Sequence, residues 1–253
     1  MSSVDQFFVA DRDVGSVAGS ASLAATQMSA GTLVGTVGIH YATGISFLAV
    51  WPGIWLGWLV SMFYIAPQLR RFGGVTVPEF LAARFDGDGA DGRRTQAIVA
   101  VLIAGIYLVY TAGQYVAGAV VLETVLGVPT VPGMAALVIL VLGYTTLGGM
   151  RASIISDSVQ VGLMIVGLAV AVGAGLNEVG GIGALHTQVR TIDPSLLGFG
   201  LSPIDIAGFA MAFGLGMAVA PYEVSRVYAM SDPETVKTAI QGSILIQAVV
   251  GAG

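Results

Sequence analysis

The side chains between Gly15 and Gly38 are unusually small and polar for an uncharged segment of this length. Seventeen of these 24 residues are Gly, Ala, Ser or Thr, and Gln27 lies near the middle. A lipid-facing helix is normally rich in larger apolar side chains, so this composition indicates burial among other helices. Wherever a helix unwinds at membrane depth, its freed carbonyl oxygens need protein, water or a bound ion as partners. We therefore interpret the segment as a discontinuous helix that lines a site.

A continuous helix is the alternative for the same segment. Gly15 with Gly19, and Gly31 with Gly35, have the spacing of closely packed membrane helices. Composition alone leaves both interpretations open.

The composition of the whole chain indicates an α-helical membrane protein. Of its 253 residues, 55% are apolar and only 10% are charged, whereas about 25% are charged in a soluble domain. The apolar runs are far longer than a barrel strand. The absence of cysteine excludes disulfides and thiol chemistry, and the net charge of −5 argues against a nucleic-acid partner. The predicted crossings contain no paired carboxylates, Ser/His pair or metal-ligand cluster, so nothing in them suggests an enzyme. The two histidines, His40 and His186, lie far apart in the sequence, which argues against a histidine-based metal site.

Uncharged intervals between polar segments predict seven membrane crossings in a single transporter domain over residues 1–253. The crossings cover about residues 15–41, 45–66, 96–122, 131–148, 157–176, 204–222 and 236–253. Pro78 and its apolar neighbours predict a short amphipathic helix on the membrane surface within the polar segment 67–94.

The basic residues predict the orientation of these crossings. With the N-terminus in the cytoplasm, nine of the ten Lys and Arg residues lie on the cytoplasmic side, and only Arg190 lies outside. The first and sixth crossings then run in opposite directions, and both are rich in small residues, with a helix breaker at Pro221 in the sixth. Interrupted helices at matching positions of two oppositely oriented halves are typical of inverted-repeat transporters.

Six segments in order resemble the sodium:solute symporter family, which includes sodium/proline, sodium/pantothenate and sodium/glucose carriers. The segments are DQFFVADRDVG (5–15), SLAATQMSAGTLVGTVG (22–38), RRFGGVTVPEFLAARF (70–85), VAGAVVLETVLGVP (116–129), GYTTLGGMRASIISDSVQ (143–160) and APYEVSRVYAMSD (220–232). The resemblance implies an all-α polytopic membrane protein with a LeuT-like inverted-repeat core, of which this chain holds the first five-helix repeat and the start of the second. It also implies a multi-pass protein of the cell membrane, in contact with the lipid bilayer.

The resemblance also implies a sodium site. In this family the ion is held partly by backbone carbonyls where the first core helix unwinds, and the matching positions are Ala25 and Met28. The other ligands come from a later helix, so we expect the remaining half of the transporter to be needed. Asp157 matches an acidic residue on the cytoplasmic sodium path, although Asp157 or Ser156 could also simply cap the fifth crossing.

The solute is expected beside the unwound segment. Resemblance points to Thr32, Tyr110, Phe213 and Met217, for each of which ordinary packing is the alternative. Gln27 stands where relatives have Asp or Asn; it could orient an ion or solute, or form an interhelical hydrogen bond.

Together these features predict a sodium-coupled symporter of a small organic solute, such as proline, pantothenate or a similar monocarboxylate or amino acid. The alternative is a transport-inactive sensory or scaffold module derived from a symporter core. Arg12 is expected to anchor the inner interface, and Glu123 and His40 are expected to be interfacial.

Overall fold

The computed structural model describes residues 4–29, 32, 35–85, 89–198 and 200–252. Over these residues the regular structure is helical, apart from one isolated bridge between Val14 and Met230. The α-helices are α1 (Val4–Val9), α2 (Ser16–Gln27), α3 (Thr36–Thr43), α4 (Trp51–Val60), α5 (Ala66–Phe72), α6 (Val77–Phe85), α7 (Ala90–Leu126), α8 (Thr130–Val179), α9 (Ile182–Ile192), α10 (Pro203–Val219), α11 (Pro221–Ala229) and α12 (Pro233–Ala252). Tighter 3-10 turns occupy Ala10–Arg12, Gly44–Val50 and Pro194–Leu197, and a wider π-helical turn occupies Ser61–Ile65.

Four helical runs among the described residues are long and apolar enough to cross a membrane. They are Thr36–Phe72, Asp91–Leu126, Thr130–Val179 and Pro203–Ala229. The expected all-α polytopic membrane fold is confirmed. Helix α12, which contains most of the predicted crossing 236–253, is not among the four, so that crossing stays a prediction.

The predicted crossings 131–148 and 157–176 both belong to α8. This helix has 50 residues and would measure about 75 Å if straight, more than twice the roughly 30 Å of a hydrocarbon core. It bends at Gly149, whose φ of 55° and ψ of −146° are outside the helical region. The two predicted crossings are therefore separated by a bend at a single glycine, after which helical structure resumes immediately.

Helices α2 and α11 lie side by side and run antiparallel. The residues in contact follow opposite orders along the two helices: Val14 with Ala229, Ser22 with Arg226, and Gln27 with Glu223. This direction agrees with the opposite orientations expected for the first and sixth crossings.

A buried apolar cluster holds these two helices against α4 and α12. Its largest members are Leu23, Trp58, Met62, Met230 and Ile240. Helix α4 also approaches α10 closely through glycines, because a side chain at Gly57 would meet the Gly214 carbonyl. The packing therefore holds α11 against α2 and α10 against α4.

Candidate functional site

Helix α2 is broken in the middle of the first predicted crossing. It ends at Gln27, Met28 leaves the helical region with φ −84° and ψ 68°, and the next α-helix begins at Thr36. Hydroxyl groups replace helical hydrogen bonds here: the Thr32 hydroxyl donates to the Gln27 carbonyl at 2.5 Å, and the Ser29 hydroxyl accepts from the Thr32 amide at 3.1 Å. Such side chains offer the backbone an alternative to the helix. The predicted discontinuity is confirmed, and the alternative of one continuous helix is wrong.

The carbonyl groups at this break differ in how fully they are bonded. The Gln27 carbonyl accepts from the Ser29 amide at 3.0 Å as well as from the Thr32 hydroxyl. The Ala25 carbonyl accepts from the Met28 amide at 3.0 Å. A carbonyl oxygen has two lone pairs. Within the described residues the Ala25 carbonyl oxygen accepts this one hydrogen bond, so its second lone pair can bind a cation.

A second break lies opposite the first. Ala220, with φ −57° and ψ 124°, separates α10 from α11, and Pro221 opens α11 at the position where its missing N–H costs least. Across the gap, the Gln27 side-chain amide donates a hydrogen bond to the Glu223 carboxylate. The interhelical hydrogen bond that the sequence left open for Gln27 is therefore present.

Glu223 is the residue of this site that the sequence analysis missed. Its side chain is buried, with a residue exposure of 5%, and its Oε2 has no hydrogen-bond partner within the described residues. A carboxylate inside an apolar span is a functional hypothesis by default, and that signal could have identified it.

Asp157 joins three helices. Its Oδ2 accepts from the Ser22 hydroxyl of α2 at 2.5 Å and lies 3.2 Å from Nη2 of Arg226 on α11. The two charged side chains are only 13% and 15% exposed. Asp157 lies inside α8, so the expectation that it or Ser156 caps a helix is wrong. Ser22 precedes Ala25 by one helical turn, or about 4.5 Å along the axis, which places Asp157 on the N-terminal side of the break.

A cavity of about 830 Å³ adjoins the break. Its wall includes all five residues expected to contact solute, Gln27, Thr32, Tyr110, Phe213 and Met217. Met28 also lines it, whereas Ala25 and Asp157 do not.

The cavity wall is mainly apolar, with several uncharged polar side chains, and it carries no Asp, Glu, Lys or Arg among the described residues. Hydroxyl and amide groups of Ser29, Gln114, Tyr222 and Gln247 accompany the predicted residues. Tyr110 and Tyr222 stack with ring centroids 6.0 Å apart and an angle of 7° between their planes. The volume of the cavity is that of a small-molecule site, and its hydroxyl and amide groups can form hydrogen bonds with a small solute.

Comparison with known proteins extends over nearly the whole chain. Residues 7–253 match the Sodium:solute symporter family. The chain belongs to this family. An osmoregulated proline transporter of Bacillus subtilis (strain 168) is 27% identical over 258 residues, covering 98% of this chain and 52% of the relative. A sodium/pantothenate symporter of Escherichia coli (strain K12) is 25% identical, with 99% and 53% covered. Sodium/glucose cotransporter 1 of Oryctolagus cuniculus is 30% identical over 207 residues, with 79% and 30% covered.

The chain thus spans about half the length of the first two of these relatives. Arg12, in the turn before α2, donates to the Gly73 carbonyl at 2.6 Å and so joins this turn to the residue that follows α5. His40 lies on the cavity wall, with Nδ1 3.2 Å from the Gly44 carbonyl. Glu123 accepts from the Thr130 hydroxyl across the turn between α7 and α8.

Proposed function

We propose that this symporter couples sodium to the movement of a small organic solute, and that sodium binds the carbonyl oxygens of Ala25 and Met28. The observation that carries this proposal is the break of α2 beside a cavity whose mainly apolar wall carries several hydroxyl and amide groups. A monovalent metal cation prefers oxygen ligands, and carbonyls of unwound transporter helices supply them. The rest of the ligand set belongs to the part of the family fold that this chain does not span.

The cavity favours proline, pantothenate or a similar monocarboxylate or amino acid as solute. The described residues of its wall include no Asp, Glu, Lys or Arg, so the wall carries no negative charge that would repel a carboxylate. Gln27 and Thr32 would supply amide and hydroxyl groups to a carboxylate, whereas Tyr110, Phe213 and Met217 would cover the apolar part. The relatives include a proline transporter and a sodium/pantothenate symporter.

The two ligands are coupled because each favours the same conformation. Sodium at Met28 lies against the cavity wall, so its binding stabilises the arrangement that solute also requires, and their affinities are reciprocally linked. Asp157, one turn further toward the N-terminus of α2, is then placed to receive the ion on its way to the cytoplasm. This route presumes the orientation given by the basic residues, with the N-terminus in the cytoplasm and the protein in the cell membrane.

The substitution Ala25→Leu tests the sodium site. A larger side chain at this turn crowds the carbonyls, so we expect ²²Na⁺ binding and sodium-driven uptake by the full-length protein to fall by at least about tenfold, equivalent to roughly 1.4 kcal/mol. Ala136→Leu, the same change at an exposed position of α8, should leave both unchanged. Sodium binding by Ala25→Leu equal to that of the unmodified protein would contradict the proposal.

A further inference from the structure

Glu223 forms no ion pair within the part of the chain that the structure describes. Three charged side chains lie near the two breaks, Glu223, Asp157 and Arg226. Among the described residues Arg226 forms its ion pair with Asp157, and it acts on Glu223 only as a nearby charge. One carboxylate oxygen of Glu223 accepts a hydrogen bond from the Gln27 side-chain amide. The other oxygen is buried and has no hydrogen-bond partner within the described residues. An unpaired carboxylate at membrane depth is costly. The cluster therefore lacks one positive charge.

The surroundings of Glu223 leave little room for a metal ion. It does not line the 830 Å³ cavity, although its neighbours Gln27 and Tyr222 do. Its free oxygen has practically no accessible surface. A metal cation would need several further oxygen ligands, whereas a proton neutralises a carboxylate without added volume.

The other titratable groups around Glu223 do not supply the missing charge. Tyr107 and Tyr110 on α7 and the adjacent Tyr222 act on it only as neutral phenols. On the helices packed against the inner part of α11, Arg12 is bonded to the Gly73 carbonyl and Arg70 to the Met230 carbonyl at 2.7 Å.

We propose that Glu223 binds a proton in the sodium-free protein and releases it when sodium binds at Ala25 and Met28. Gln27 joins the two sites, because its backbone lies between the two carbonyls and its amide contacts Glu223. A cation at the break adds positive charge beside the carboxyl group and so favours its ionised form. Linkage makes the effect reciprocal: protonation of Glu223 weakens sodium binding. This inference rests on the sodium site of the proposed function.

Infrared difference spectroscopy on the full-length protein in nanodiscs tests the proton directly. At neutral pH, where exposed carboxyl groups are ionised, we expect a carbonyl stretch of a neutral carboxylic acid in choline chloride, and its loss on exchange into sodium chloride. Glu223→Gln should lack the band, and Glu223→Asp, which keeps a carboxyl group, should retain a shifted one. Glu178→Gln, at an exposed glutamate of α8, should match the unmodified protein. Absence of a sodium-sensitive band in the unmodified protein would overturn the proposal.

The binding of ²²Na⁺ between about pH 6 and pH 8 separates this inference from the proposed function. One-for-one exchange weakens sodium binding by up to about tenfold per unit fall in pH. Glu223→Gln should remove most of this dependence. Dependence on pH that is unchanged in Glu223→Gln would overturn the exchange alone. Failure of the unmodified protein to bind ²²Na⁺ at any pH would instead remove the sodium site, and the exchange with it.

Discussion

Replacing Asp157 with alanine removes the carboxylate that joins α8 to α2 and α11. The guanidinium of Arg226 would lose an ion-pair partner 3.2 Å away, and the Ser22 hydroxyl would lose its acceptor. At an effective dielectric constant of about 20, two charges at that separation attract by roughly 5 kcal/mol, much of which offsets their desolvation. Breaking a buried pair from one side costs about 3–5 kcal/mol. Because both side chains keep some exposure, 13% and 15%, we expect a loss near the lower limit, about 3 kcal/mol.

A double-mutant cycle with Asp157→Ala and Arg226→Ala separates this interaction from the other contacts of each residue. The double variant should lose less stability than the sum of the two single variants, with a coupling energy of about 2 kcal/mol. Unfolding of the full-length protein in mixed micelles, followed by tryptophan fluorescence against added denaturing detergent, measures all three. Glu178→Ala, an exposed carboxylate of the same helix, should change stability by less than about 0.5 kcal/mol. A coupling energy indistinguishable from zero would refute the pairing of α8 with α11 described above.

Two further outcomes concern the backbone that positions the site. Gly149→Ala should destabilise the protein by about 2 kcal/mol or more, because a residue with a side chain is strained at a φ of 55° and the new Cβ would lie 2.5 Å from the Phe7 carbonyl oxygen. Gly162→Ala, at a glycine with open space around it, is the control. Equal stability of the two variants would contradict the bend at Gly149. Asp232 accepts hydrogen bonds from the Thr235 amide and hydroxyl at the start of α12, which hold the pKa of its carboxyl well below the ordinary value. A lowered pKa means that this stabilisation is present above the unfolded-state pKa of about 3.9 and is lost as the pH falls further. The thermal midpoint of the unmodified protein should therefore exceed that of Asp232→Asn near neutral pH and approach it below about pH 4, and a difference that does not change with pH would argue against this cap.

The break in α2 could be predicted from the sequence because its cause is local. Small residues weaken the preference for a lipid-exposed helix, and Ser29 and Thr32 carry the hydroxyl groups that replace helical hydrogen bonds. Pro221 marks the second break for the same kind of reason, since it has no N–H to donate. Residues on the cavity wall, such as Tyr110 and Phe213, could be predicted only from the resemblance to a family.

The contacts of Glu223 and Asp157 could not be predicted in this way because they depend on how distant segments pack. Gln27 and Glu223 are 196 positions apart, and Ser22 and Asp157 are 135 positions apart. No periodicity in either segment specifies the partner. The bend of α8 at Gly149 lies between the two predicted crossings, but nothing in the sequence specifies that a single glycine makes the turn.

Determination of the full-length structure in sodium chloride and in choline chloride tests the central claim most directly. We expect the chain to be broken at Met28 in both salts, with density bound to the carbonyl oxygens of Ala25 and Met28 only when sodium is present. An unbroken α-helix from Ser16 to Ile39, or identical maps around Met28 in the two salts, would contradict the account.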